Sequence, residues 1–281
     1  MVSENRVKEG DTVLLISPRG KRYLIKVVKN KKFETDKGVI SHEEIIGMKY
    51  GDEIFSNNNQ PFLILQPSIY DIIQSTKRIT QIIYPKDACY IVMKLNISSG
   101  KKIIEAGTGS GALTIFFANF VKPDGKIFTY EIRDDMIKYA KGNIKTHGMS
   151  EFVELKQRDI ANGFDEKDVD AVFYDLKNPW DYINQAYESL KPGCYLGCLV
   201  PTANQVIKLL KVLEDSQFGD IEVEELLVRK YRTIADRFRP DEKMIGHTGY
   251  LLFARKLICK SNKLWYSFLT GRSWKNKTEK E

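Results

Sequence analysis

The stretch Glu105-Ala106-Gly107-Thr108-Gly109-Ser110-Gly111 sets glycine at alternate positions directly behind an acid. Without a Cβ, glycine lets the chain turn tightly and approach a ligand closely. The apolar run at 112–121 predicts a helix, whose N-terminus would offer unpaired N–H groups behind that loop. Glu131 comes about 20 residues beyond Gly111, where a carboxylate can accept both hydroxyls of an adenosine ribose. Asp159 and Asp175 close the next two strand-like runs, and Asp159 is suited to an adenine amino group. Any one of these acids alone reads as a helix cap or a surface charge. Four of them at successive strand ends, Glu105, Glu131, Asp159 and Asp175, read as a nucleoside-cofactor site. Dinucleotide sites usually space their glycines G-x-G-x-x-G. Here the spacing is G-x-G-x-G, and the acid in front would repel a pyrophosphate but can hold an ammonium group. S-adenosylmethionine has an α-ammonium and no phosphate.

The elements that must position these residues alternate. Strands are predicted at 102–105, 126–130, 152–156, 169–174, 195–200 and 221–230, with an antiparallel return at 249–256. Helices are predicted at 112–121, 134–146, 180–190 and 204–215. Repeated strand–helix units imply a doubly wound, Rossmann-like α/β sheet that binds its ligand at the carboxyl ends of the strands. Residues 1–65 differ. Short β-prone runs broken by Pro18-Arg19-Gly20, Asp36-Lys37-Gly38 and Tyr50-Gly51-Asp52 predict a small β domain. The polar break at 56–61 is the candidate linker. The predicted organisation is a β-rich domain at 1–65, a larger α/β domain at 66–259, and a basic, aromatic tail at 260–281.

Composition limits the function classes. The 281 residues are 42% hydrophobic and 29% charged, which excludes a disordered chain. No apolar run is long enough to span a bilayer, and the start carries no signal-peptide core, so a cytoplasmic address is expected. A net charge of +7 permits a polyanionic partner without requiring one. Cys89, Cys194, Cys198 and Cys259 are too few for a disulfide scaffold and lack metal-ligand spacing, so no metal is expected. Whether Cys194 or Cys198 pairs is left open.

Residues 105–111 resemble the first motif of the class I S-adenosylmethionine-dependent methyltransferases. Four further stretches narrow the resemblance: 77–87 (KRITQIIYPKD), 174–180 (YDLKNPW), 200–206 (VPTANQV) and 246–250 (GHTGY). Together they resemble the tRNA adenine-N1 methyltransferases that modify adenine 58 of the T-loop. The resemblance implies a seven-stranded methyltransferase sheet, S-adenosylmethionine as cofactor, tRNA as partner and a homotetramer. Some archaeal members also methylate adenine 57, and nothing in this chain decides between one and two target positions. The family typically has proline after the Asp-Leu pair, where this chain has Lys177.

On this basis the cofactor site is assigned to Glu105, Gly107, Gly109, Ser110, Gly111, Ala112, Leu113, Glu131, Ile132, Met136, Asp159 and Asp175. Asp175 carries over as the catalytic aspartate: a carboxylate can accept a hydrogen bond from adenine N6–H, orient the ring and offset charge developing on methylation. Tyr84 matches a position where an aromatic ring can stack on the flipped base; packing before Pro85 is the equal alternative. Substrate contacts are assigned to Lys77, Arg78, Gln81, Thr202, Gln205, Arg232, Arg237 and His247. Thr202 and Gln205 could instead cap the next helix, and His247 is expected to hydrogen-bond the neighbouring turn. Two rival readings stand: a non-catalytic RNA-binding subunit, which should lose the glycine loop or Asp175, and a protein-isoaspartate methyltransferase, which should lack the stretch at 175–180.

Overall fold

The structure, a computed structural model, describes residues 5–77 and 81–259. Arg78 and the tail at 260–281 lie outside the described residues. Two compact units divide between Thr76 and Lys77.

In the first unit, β1 (Thr12–Ile16), β2 (Arg22–Lys26), β5 (Glu53–Phe55) and β6 (Pro61–Leu65) form a four-stranded sheet in the order β2-β1-β6-β5. Its pairs are antiparallel. A separate hairpin joins β3 (Lys32–Thr35) to β4 (Gly38–Ser41). Val13 and Leu15 of β1 pack with Ile54, Phe62 and Ile64 in the core, and Leu14 between them is buried as well. Helix α1 (His42–Ile45) is fixed by a capping box between Ser41 and Glu44. Helix α2 (Ile69–Ser75) belongs to this unit, because Asp71 pairs with Arg22 of β2 at 2.7 Å. The division therefore falls beyond the polar break at 56–61, which holds the turn between β5 and β6.

The second unit is built on seven strands in the order β12-β13-β11-β10-β7-β8-β9. These are β7 (Lys102–Ala106), β8 (Lys126–Glu131), β9 (Val153–Gln157), β10 (Val169–Tyr174), β11 (Leu190–Val200), β12 (Phe218–Glu224) and β13 (Tyr250–Lys256). Helices α3 (Pro85–Lys94), α4 (Ala112–Val121), α5 (Asp134–Thr146), α6 (Ile183–Ser189) and α7 (Ala203–Glu214) flank them. Strands β7 to β11 are parallel, and β13 runs antiparallel between β11 and β12. The chain order reverses between β7 and β10, so the loops after these two strands part and leave a crevice at the carboxyl edge. Two elements differ from expectation. β11 starts at Leu190, because Lys191-Pro192-Gly193 continues the strand rather than closing a helix. β12 ends at Glu224, so 225–249 is an irregular segment rather than strand continuation.

All four cysteines are free, and Cys198 is buried. Among the described residues, no helix is long and apolar enough to cross a membrane, and no His, Cys, Asp and Glu group could hold a metal ion.

Candidate active site at the carboxyl edge of the sheet

The crevice encloses about 200 Å³ and is lined by Gln81, Ile82, Ile83, Gly107, Thr108, Gly109, Ser110, Ala112, Leu113, Glu131, Arg133 and Asp175. Three glycines of the loop take positive φ: Gly107 at 93°, Gly109 at 52° and Gly111 at 80°. At Gly107 a Cβ would lie 2.2 Å from the backbone carbonyl oxygen of Asp175, and at Gly111 it would lie 3.3 Å from Cα of Ala140. Glycine therefore lets the loop close onto the end of β10 on one side and lets α4 meet α5 on the other.

Glu131, only 7% exposed, ties the loop to the end of β8. Its Oε2 accepts from the Gly109 N–H at 3.0 Å, and its Oε1 accepts from the N–H groups of Ile132 and Arg133 at 3.0 and 3.1 Å. Asp175 stands opposite. Its backbone N–H is bonded to Ala106 at 3.0 Å, but its carboxylate has no hydrogen-bond partner among the described residues. The carboxylate reaches solvent through the mouth of the crevice, while the protein packed round it raises its pKa to about 6, with the charge of Glu131 adding to the rise. The crevice thus carries two carboxylates, and the single cation among its lining residues, Arg133, sits 3.6 Å from Glu131. Such a site suits a ligand with positive charge and hydroxyls better than one with phosphates.

Glu105 lies elsewhere. Its side chain, 1% exposed, faces inward, where Oε2 accepts from Thr114 Oγ1 at 2.5 Å and Thr129 Oγ1 at 2.7 Å. Desolvation raises its pKa to about 7. It supports the loop from beneath, and its carboxylate does not face the crevice, so the expected contact with an ammonium group has no geometry here.

The structure brings Gly107, Gly109, Ser110, Ala112, Leu113, Glu131, Asp175 and Gln81 of the sequence-derived set together. The others are placed differently. Gly111 packs on α5 and Met136 is buried. Ile132 is exposed beside Glu131 and does not line the crevice. Asp159 Oδ1 caps a short 3-10 turn by accepting from the Ala161 N–H at 2.9 Å. Tyr84 precedes α3 without a capping hydrogen bond and is partly exposed. Thr202 caps α7, and Gln205 Nε2 donates to the Lys177 carbonyl at 3.0 Å, bracing the chain just after Asp175. His247 is bonded to Glu225 at 2.5 Å and to the Pro201 carbonyl at 2.9 Å. The Glu225 bond raises its pKa. Lys77 is exposed. Arg232 pairs with Glu242 at 2.7 Å, whereas Arg237 is exposed and without an ion pair among the described residues.

Thr108, Ile82, Ile83 and Arg133 were not anticipated in the wall. Ile82 and Ile83 read from sequence as plain apolar residues, and only the fold places them there.

A family model described as the tRNA methyltransferase complex GCD14 subunit matches residues 63–239, and one described as TrmI-like N-terminal matches residues 6–52. The chain is 34% identical to tRNA (adenine(57)-N(1)/adenine(58)-N(1))-methyltransferase TrmI of Methanocaldococcus jannaschii, over 86% of this chain and 94% of that one. Among solved structures, a SAM-dependent O-methyltransferase of Thermotoga maritima superposes with a TM-score of 0.85 and 41% identity, covering 93% of this chain and 98% of that one. The tRNA (m1A58) methyltransferase TrmI of Aquifex aeolicus gives 0.77 and 38%, covering 91% and 100%.

Proposed function

We propose, for a chain that belongs to the tRNA (adenine-N1)-methyltransferase family, that it transfers a methyl group from S-adenosylmethionine to N1 of adenine 58 in the tRNA T-loop. The observation that carries this reading is the crevice itself: an unpartnered carboxylate, Asp175, directly against a glycine loop clamped by Glu131. The residues fit the cofactor. Gly107 and Gly109 keep the loop backbone bare, Glu131 has acceptor capacity left for ribose hydroxyls, and the acidic wall favours a cation. When bound, S-adenosylmethionine supplies an electrophilic methyl group on a sulfonium.

The chain's own residues supply orientation and charge. Asp175 accepts a hydrogen bond from N6–H of the adenine, which turns N1 toward the methyl group and offsets positive charge as it develops. With a pKa raised to about 6, the carboxylate is mainly ionised at neutral pH and can also take a proton from N6 afterwards. Gln205, through the Lys177 carbonyl, keeps the loop behind Asp175 in place.

The base must leave the folded T-loop to reach this depth, at a cost of a few kcal/mol that backbone contacts must offset. Cations for that task stand in the segment between β12 and β13. Arg229, Lys230, Arg237 and Lys243 there make no ion pair among the described residues. Leu227, Val228, Ile234 and Phe238 of the same segment are exposed at 50–68%. They offer apolar surface to the homotetramer that belongs to this reading, and the reading also carries a cytoplasmic location.

The test is transfer of labelled methyl to unmodified tRNA transcript, with digestion and mapping by mass spectrometry. N1-methyladenosine at position 58, with or without 57, is the expected product. Asp175→Ala should cut the rate by about a hundredfold or more, well beyond its effect on cofactor binding. A product methylated on oxygen would reject the N1 reading and favour the chemistry named for the Thermotoga structure.

A further inference from the structure

Helix α5 carries its apolar stripe on Met136, Ala140 and Ile144, and Asn143 sits among them, 7% exposed. A buried amide requires partners. Asn143 Nδ2 has two: it donates to the Ser110 carbonyl at 2.8 Å and to the Lys77 carbonyl at 2.8 Å. The first carbonyl belongs to the glycine loop. The second belongs to Lys77, four residues before Gln81 in the sequence, and Gln81, Ile82 and Ile83 line the crevice. Both amide hydrogens of one planar group are therefore used, one on the glycine loop and one on Lys77.

We propose that Asn143 is a positioning residue that couples the cofactor loop to the Gln81–Ile82–Ile83 wall, so that binding of the methyl donor also sets the edge over which the acceptor base enters. The inference rests on the methyltransferase reading and deepens it. Because the amide is planar, a shift of the loop carbonyl that rotates the group also reorients its second N–H. The Lys77 carbonyl must then follow or lose its donor, and a buried bond lost in this way is disfavoured. The anchor beneath is firm, since Ala140, three residues before Asn143 on the same helix, meets Gly111 at close approach.

The test is hydrogen exchange on the full chain with and without saturating S-adenosylmethionine, read in peptides containing residues 105–111 and in peptides containing Ile82 and Ile83. In the wild type the cofactor should slow exchange in both. Asn143→Ala should keep the slowing at 105–111 and lose that at Ile82 and Ile83, with binding weakened about tenfold, as for one buried hydrogen bond. Asn143→Asp should behave likewise at pH 8 and recover part of the coupling at low pH, where a protonated carboxyl regains one donor. A merely structural role would not produce that recovery. Should Asn143→Ala fail to fold, Asn143→Ser, with a single donor, is expected to fold and to show the same split.

Slowing at both sites in a folded variant would overturn the proposal, as would no effect at Ile82 and Ile83 in the wild type. Wild-type protein that binds no cofactor would instead overturn the function reading. With tRNA present, the cofactor-dependent gain in tRNA affinity should vanish in the variant, and its retention would also overturn the proposal.

Discussion

Two regions of the second unit are built by opposite means. The glycine loop and the end of β8 are satisfied from within: Glu131 is bonded to three backbone N–H groups, and Glu105 lies sealed under two threonine hydroxyls. The segment at 225–249 lies on the surface, with the Arg232 N–H bonded to the Arg239 carbonyl at 2.9 Å and the Asp241 N–H to the Lys230 carbonyl at 2.8 Å, Arg232 and Arg239 on Glu242, and the rings of Tyr231 and Phe238 stacked 5.2 Å apart. A site built from backbone and buried carboxylates is organised before its ligand arrives. A surface of exposed cations and apolar side chains leaves its outward groups open to a partner. The difference matches the tasks proposed for each, a small cofactor of fixed shape on one side and a large polyanion on the other.

The largest effect expected in breaking this contrast is at the loop. Gly107→Ala combines a positive φ with a Cβ 2.2 Å from the Asp175 carbonyl oxygen. Strain and overpacking of this kind cost about 2–5 kcal/mol, so methyl transfer should fall about a hundredfold or more. Calorimetric titration with the cofactor would show whether binding falls with it. Glu105 offers the next test. Its pKa is raised to about 7 from 4.5, so the stability it contributes is fully present below pH 4.5 and is lost as pH rises through 7. Glu105→Gln should therefore gain stability over wild type between pH 5 and 8, on the order of 2 kcal/mol. Denaturant unfolding at several pH values measures this, and a constant difference would show that the acid is not desolvated.

A smaller effect is expected from pH itself. If ionised Asp175 orients the base, the rate should fall as pH drops through about 6, by about tenfold at pH 5. A profile flat to pH 5 would remove that role. The smallest effects belong to the exposed segment. Arg229→Ala and Arg237→Ala should each weaken tRNA binding about threefold and lower its salt dependence by about one unit of slope, with cofactor affinity unchanged. Loss of cofactor binding in these variants would erase the separation of the two regions.

Most of the sheet was legible in the sequence because apolar runs, turns and strand-end acids recur at the spacing of strand–helix units. The glycine loop was legible because alternate glycines have few other uses. What failed was side-chain direction. Glu105 looked like a ligand because it stands beside the loop, yet its position on β7 turns it into the core. Asp159 took the capping role that its residue type favours, while Thr202 took the helix cap already read as its alternative. Asn143 carried a readable signal, a polar residue on the buried stripe of α5, but its two partners lie far apart in sequence and only the fold joins them.

The path of residues 225–249 has one more consequence. They leave the sheet from β12 and return as its antiparallel neighbour β13, and His247 closes their base on Glu225 and Pro201. An excursion pinned at its base can grow cheaply, since each doubling of a flexible loop costs only about 0.6 kcal/mol. The segment is thus an exchangeable cassette. Insertion or replacement there would change the surface proposed for tRNA, while the register of the seven strands and the crevice at their edge stay unchanged.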